Sequence, residues 1–183
     1  MTVLSDKEIK RKIDENEIVV EPLNFSEQIQ PASLDIRLGT EFSKFPDNVK
    51  CIDVNTNVRD EMVSWISNVV TIQPNSFILA NTIENFQIPN DTGAEIRGRS
   101  SLGRMGIEVH SCAGWVDPGF EGELVLEIFN NSNAPIELDS KTRVAQMVFH
   151  ELGEPAIDGY GETENKYQGQ SGAIPSKIHQ DAN

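Results

Sequence analysis

Apolar residues along the chain recur mostly at every second position, and only once at helical spacing. The helical stretch comes first. Leu4-Ser5-Asp6-Lys7-Glu8-Ile9 carries a capping box, with Ser5 at the N-cap and Glu8 at N3, and Leu4 and Ile9 stand in the staple positions. Ile9 and Ile13 continue the apolar stripe, and the polar run Asp14-Glu15-Asn16-Glu17 ends it. Residues 33–39 (SLDIRLG) alternate as a half-buried strand does. Residues 69–72, the turn at Pro74-Asn75-Ser76 and residues 77–80 read strand, turn, strand. Residues 123–129 and 143–149 add two more strands, and turn signals at 89–91, 117–119 and 130–135 separate them. Many short strands with little helix predict an all-β sandwich or a closed, barrel-like roll. No internal repeat or linker divides the chain, so residues 1–183 are read as one domain.

The segment from Glu151 onward breaks the pattern. It holds five glycines, two prolines, Tyr160, Tyr167 and only Lys166 and Lys177 as basic residues. It is either a disordered terminus or a lid, 151–183, that orders over a ligand; Lys166-Tyr167-Gln168-Gly169-Gln170 has the donors a lid would use.

Charge narrows the partners. Fifteen basic residues against twenty-nine acids give a net charge of −14, which argues against general nucleic-acid binding and against an anionic membrane surface. From Asp60 to Ser140 twelve acids face three arginines, Arg97, Arg99 and Arg104, a local net of −9. Gathering those arginines into so short a stretch suggests an anion site. The longest uncharged run, 62–83, contains Pro74 and three asparagines and is too polar for a spanning helix. Cys51 and Cys112 form no CxxC pattern, so neither a disulfide framework nor a zinc site is expected, and Cys112 reads as a small buried apolar residue. The N-terminus has no secretory apolar core, and a cytoplasmic protein is the default. A hydrophobic content of 38% suits an oligomer that shares its core.

The candidate chemistry lies between residues 97 and 127. Gly98 lets the backbone pass close to a ligand, and Arg99, Ser100 and Ser101 offer a guanidinium fork, hydroxyls and main-chain N–H groups. A short helix begun at Ser101 would add its dipole. This is either a phosphate loop or a solvated turn; it is not a Walker A sequence. Asp117, before Pro118-Gly119, is a turn residue by itself. Glu127 shares its strand face with Val125 and Phe129, and a carboxylate on an apolar face must be paired, protonated or functional. His110 is read as structural, and His150 and His179 as surface or strand-end residues.

Five separated segments, GRSSLGR (98–104), AGWVDPGFEG (113–122), VLE (125–127), AQ (145–146) and KYQGQ (166–170), resemble the dCTP deaminase branch of the dUTPase-like superfamily. The resemblance runs from LSDKEI near the N-terminus to IPSKIHQD near the end. It implies a distorted, jelly-roll-like β-roll with an N-terminal helix and a short helix after GRSS. It also implies a homotrimer with sites shared between subunits, and deamination of dCTP without zinc. The zinc deaminases' H-x-E and P-C-x-x-C patterns are absent from this sequence. By the resemblance Glu127 is the general acid–base, and Ser100 and the Ala113 carbonyl hold the water. Arg104 supports the cluster and must itself be paired, with an acid of a neighbouring subunit as the expected partner. Arg99, Ser100, Ser101, Gln146, Tyr160, Lys166 and Gln170 match phosphate contacts, and Asp117 matches the residue on the deoxyribose 3′-hydroxyl. Leu102, Gly103, Val125 and Leu126 complete the substrate-binding set. No protein residue is expected to hold a metal; Mg²⁺ rides on the triphosphate.

Gly114 and Trp115 resemble the bifunctional branch, which also cleaves the α–β phosphate bond and releases dUMP and pyrophosphate. Release of dUTP, a plain dUTPase and a non-enzymatic β-roll remain alternatives. The tail's YQGQSG is unlike the dUTPase Gly-rich motif, which favours deamination. Cys112 stands where relatives often carry a Thr linked to feedback by dTTP, and this puts dTTP inhibition in question.

Overall fold

The computed structural model describes residues 2–110 and 112–182. In chain order the elements are β1 (Thr2–Val3), α1 (Asp6–Asp14), β2 (Val19–Glu21), α2 (Phe25–Gln28), β3 (Ile29–Gln30) and β4 (Ser33–Lys44). After a long loop come β5 (Val63–Ile66), β6 (Val69–Ile72), β7 (Ser76–Gln87), β8 (Thr92–Gly98) and α3 (Ser100–Gly103). Then follow β9 (Ile107–Val109), β10 (Trp115–Val116), β11 (Glu121–Asn130), β12 (Ile136–Asp139) and β13 (Arg143–Glu151).

The capping box sets α1 as the sequence predicts. The Ser5 hydroxyl accepts from the Glu8 N–H at 3.4 Å, and the Glu8 carboxylate accepts from the Ser5 N–H at 2.9 Å. Leu4 and Ile9 are both buried. Lys12 is buried too, its ammonium between Glu17 at 3.0 Å and Asp91 at 3.2 Å, so an ionic clamp ties α1 to the turn before β8.

The main sheet curls through the order β10-β8-β13-β4-β7-β11-β9, with β1, β2, β3 and β5 attached to β13, β7, β4 and β4. β6 pairs with β12 in a separate small sheet, so strands 69–72 and 76–87 do not form a hairpin with each other. One core of Leu, Ile, Val and Phe side chains fills the roll.

Strand 33–39 is not half-buried. β4 is central, flanked by β13 and β7, and both of its faces are covered. Its alternation separates an apolar layer (Leu34, Ile36, Leu38) from a buried ionic one. In that layer Asp35 and Glu84 have no exposed surface, and Arg37 Nε meets Glu84 Oε1 at 2.6 Å. Arg97, with no role assigned from the sequence, pairs with Glu95 on the β8 surface at 2.7 Å.

The tail packs onto the roll. Gln170 bridges to Gly122, Gly172 donates to the Glu123 carboxylate at 2.8 Å, and the Ser43 hydroxyl donates to the buried Ala173 carbonyl at 2.9 Å. Residues 170–173 of the tail are thereby held against β4 and β11.

Candidate active site

A cleft of about 530 Å³ opens beside β11 and carries Glu127 on its wall. β11 alternates strictly. Leu124, Leu126 and Ile128 point into the core, and Glu123, Val125, Glu127 and Phe129 form the other, half-buried face. Across the ladder Glu127 faces Leu79 and Phe129 faces Phe77, so the carboxyl group stands among apolar side chains. Burial pushes its pKa up. Among the described residues no Lys or Arg lies within ion-pair distance of it.

His110 lies beside it. Its ring Nδ1 accepts the Glu127 main-chain N–H at 3.1 Å, and its backbone N–H donates to the Glu127 carbonyl at 2.9 Å. Burial lowers the imidazole pKa to about 4, so the ring is neutral near pH 7, and the accepting Nδ1 leaves the proton on Nε2. Local pattern carries only a weak signal for this placement, because His110 sits at φ +52°, where the chain leaves the strand.

Ala113, Trp115 and Asp117 also line the cleft. The Trp115 indole N–H donates to Asp117 Oδ1 at 3.0 Å. The indole lies against Gly93, where a Cβ would come within 2.4 Å of the ring, and its centroid is 5.9 Å from that of His150. His150, next to the end of β13, backs the Trp115 ring and is not among the residues lining the cleft. Gly114 is needed by the backbone: its carbonyl accepts the Ile96 N–H at 2.7 Å, and a Cβ there would sit 2.7 Å from the Ile96 carbonyl oxygen. Cys112 is exposed rather than buried, because it belongs to the loop between His110 and β10 and not to a strand.

Tyr160 closes one end, its ring 5.8 Å from Phe120, and burial raises its hydroxyl pKa. Gln170 and Val125 also line the cleft, and the Gln170 amide donates to the Glu123 carbonyl at 2.8 Å. Lys166 lies outside it, in an ion pair with Asp181 at 2.6 Å. A further apolar wall comes from Ile52, Val54, Val58 and Met62 of the loop after β4. Those side chains have no periodicity, so nothing in the sequence marks them.

The arginine segment is elsewhere. Arg99, Ser100, Ser101, Arg104 and Gln146 are not among the residues lining the cleft. The short helix after GRSS begins at Ser100, one residue earlier than expected. Arg104 is exposed, and among the described residues it makes no ion pair. Leu102 is 6% and Leu126 0% exposed, so these two offer a ligand only their main chain. Among the described residues no cluster of three or more His, Cys, Asp or Glu side chains is arranged to hold a metal ion.

Fold and cleft define a dUTPase-like β-roll. The 2′-deoxycytidine 5′-triphosphate deaminase of Agrobacterium tumefaciens superposes with a TM-score of 0.66 at 24% identity over 85% of this chain, which spans about half (49%) of that longer one. A mutant dUTPase from phage phi11 of S. aureus superposes at 0.51 with 14% identity, over 81% of this chain and 99% of that one. Residues 3–152 match the dCTP deaminase-like family model, and the chain belongs to that family. It is 42% identical over 191 residues to a "dCTP deaminase, dUMP-forming" of Methanosphaera stadtmanae, covering 99% of this chain and 96% of that one. It is 44% identical over 189 residues to a "dCTP deaminase" of Haloarcula marismortui, covering 98% and 96%.

Proposed function

We propose that this protein hydrolyses dCTP to dUMP, ammonia and pyrophosphate. The observation that carries the proposal is Glu127: a carboxyl group on an apolar strand face, its pKa raised by burial, at the wall of a cleft sized for one nucleoside. Such a group holds a proton more readily than an exposed carboxylate and is suited to take one up and return it. Its carboxylate takes a proton from water as the oxygen bonds to cytosine C4, and delivers it to ring N3. The carboxylate then takes the remaining hydroxyl proton of the C4 adduct and passes it to the exocyclic nitrogen; the C4–N bond breaks as the C4 carbonyl forms, and ammonia leaves. The Ala113 carbonyl and the Ser100 hydroxyl orient the water. A second water then attacks the α-phosphorus, oriented by Asp117, and pyrophosphate departs. Asp117 also accepts from the 3′-hydroxyl. Mg²⁺ enters as part of the substrate, on the triphosphate.

The site is completed in a homotrimer. Arg99, Ser100, Ser101, Arg104 and Gln146 of a neighbouring subunit face the cleft, and Tyr160, Lys166 and Gln170 close over the phosphates from the tail as a lid. The separation of these residues from the cleft of their own chain supports this reading, as does the exposed Arg104 guanidinium. The place of action is the cytoplasm. Among the described residues no helix is long and apolar enough to cross a membrane.

Release of dUTP is the second reading, since the Haloarcula marismortui relative carries the plain name "dCTP deaminase". Gly114 is neutral between the two readings, because its contact with Ile96 requires a glycine whichever product leaves. Incubating the protein with dCTP and Mg²⁺ and separating the products decides the matter. Ammonia, dUMP and pyrophosphate in equal amounts are expected. Accumulating dUTP without pyrophosphate would overturn the second step, and the absence of ammonia would overturn the first. Adding dTTP to the same assay tests feedback inhibition in a chain that carries Cys112.

A further inference from the structure

Asp35 is a strand carboxylate with no exposed surface, and it gathers two guanidinium groups. Arg143 Nη1 lies 3.1 Å and Arg99 Nη2 3.4 Å from the same oxygen, Oδ2. The two arginines are also joined directly, because Arg99 Nη1 donates to the Arg143 carbonyl at 3.1 Å. Gln146 Nε2 lies 3.5 Å from the other oxygen, Oδ1, and 3.4 Å from the Ser33 hydroxyl. A second Nη1 contact of Arg143, to the Glu27 carbonyl, fixes the base of its fork.

Two guanidiniums and one carboxylate leave a net single positive charge. The guanidiniums repel one another, and the carboxylate between them holds them side by side. Their side chains are 27% (Arg99) and 37% (Arg143) exposed. The Nη2 and Nε donors of Arg143 and the Nε donor of Arg99 have no protein partner among the described residues. The buried side of the cluster is satisfied, and its outer side presents donors in fixed directions. Flexible arginines ordered in advance lose little freedom when an anion arrives.

We infer that Arg143 is a further phosphate-binding residue of this enzyme, and that Asp35 is the positioning residue that aligns it with Arg99. The inference rests on the proposed function, which places Arg99 and Gln146 at the triphosphate. Arg143 shares the Asp35 carboxylate with both of them, and in this proposal it turns its free donors to the same triphosphate. Its ligand class is a polyphosphate chain, independent of the base. The arginine lies outside the arginine-poor stretch 60–140, and its alternation with Val144 looks like any strand surface.

The test uses the full chain and inorganic tripolyphosphate. Arg143→Gln should weaken tripolyphosphate binding roughly 10- to 100-fold, the effect of losing charge-assisted hydrogen bonds. It should raise KM for dCTP by a similar factor, with the effect falling on KM rather than kcat, and leave 2′-deoxycytidine binding as in the wild type. Arg143→Lys should recover part of the loss. Unaltered tripolyphosphate affinity, or an equal loss for deoxycytidine, overturns the inference. In the unmodified protein tripolyphosphate should also slow phenylglyoxal labelling of Arg143, read by peptide mass; an unaltered labelling rate overturns it without requiring any variant to fold. A wild-type protein that binds tripolyphosphate but releases no ammonia from dCTP would sink the deaminase reading and leave the anion site standing.

Discussion

Asp35 and Glu127 are both strand carboxyl groups withdrawn from water, and the fold treats them oppositely. Asp35, on β4, is wholly buried and surrounded by donors: two guanidiniums and two amides reach its oxygens. Glu127, two strands away on β11, is only half-buried but has apolar neighbours and, among the described residues, no cation within ion-pair distance. Pairing, more than depth, sets what each group can do. A buried carboxylate given counter-charges is a fixed point that orients its partners. One given only desolvation has its charged form disfavoured and becomes a group that picks up and releases protons.

The largest expected effect comes from removing Glu127, the proposed acid–base. Glu127→Gln keeps shape and size but cannot take a proton, so kcat should fall about 10³-fold or more while dCTP still binds. Turnover within about tenfold of wild type would break the assignment. The same variant exposes what the site costs the fold. Because the folded pKa of Glu127 is raised above its ordinary 4.5, the folded state binds the proton more tightly than the unfolded one. Stability from that group is therefore present below 4.5 and lost as pH rises through the raised value. Glu127→Gln should resist urea better than wild type near neutral pH, and the gap should close as the medium is acidified below 4.5. His110 works the other way: its pKa, lowered from 6.5 to about 4, costs the fold stability as pH falls between those values. It is present in both proteins, so their difference isolates Glu127. With the Glu127 carboxylate as the proposed base, kcat/KM should decline as pH falls through the raised pKa.

At the paired carboxylate the expected loss is in stability. Asp35→Asn removes the counter-ion and leaves two guanidiniums facing each other. Breaking a buried ion pair typically costs about 3–5 kcal/mol, and here both arginines are partly exposed and regain water, which puts the loss at about 3 kcal/mol. Urea unfolding measures it. A loss under about 1 kcal/mol would mean that the cluster is no more than a surface ion pair. If Asp35→Asn were instead to cut kcat as deeply as Glu127→Gln, the contrast between the two carboxyl groups would fail.

The two groups are unequally visible in the sequence. Glu127 stands out because its neighbours at i±2 are Val125 and Phe129, an anomaly that strand alternation makes readable. Asp35 does not, because Asp35 and Arg37 between Leu34, Ile36 and Leu38 look like the solvent face of an ordinary strand. Only the flanking of β4 by β13 and β7 turns that face inward. Helix α1 is legible from its caps, since the interactions that start it lie close together in the chain. The loop after β4 is not: Ile52, Val54, Val58 and Met62 join the cleft through tertiary contact alone. Gly114 is marked in the sequence only by the resemblance; the close approach of a Cβ there to the Ile96 carbonyl appears only in the fold. The separation of the arginine segment from the cleft is likewise a property of the chain's path, which no local pattern records.

The smallest effect expected is at the cleft's other carboxylate, and it sharpens the comparison because Asp117 is of intermediate kind. Asp117 is exposed and has one neutral donor, the indole of Trp115 at 3.0 Å. Trp115→Phe keeps an aromatic ring against Gly93 and removes that donor. A single hydrogen bond typically contributes about 1 kcal/mol, so the freed carboxylate should sample more directions and raise KM for dCTP about fivefold, with a smaller change in kcat. Because the same carboxylate is proposed to orient the second water, the dUTP-to-dUMP ratio should rise as well. Trp115→Ala, which also removes the ring from Gly93 and His150, should cost more in stability than Trp115→Phe. A Phe variant indistinguishable from wild type in both KM and product ratio would show that Asp117 is positioned by its turn, Asp117-Pro118-Gly119, and not by the indole. The aromatic residue at 115 would then serve only to pack against Gly93 and His150.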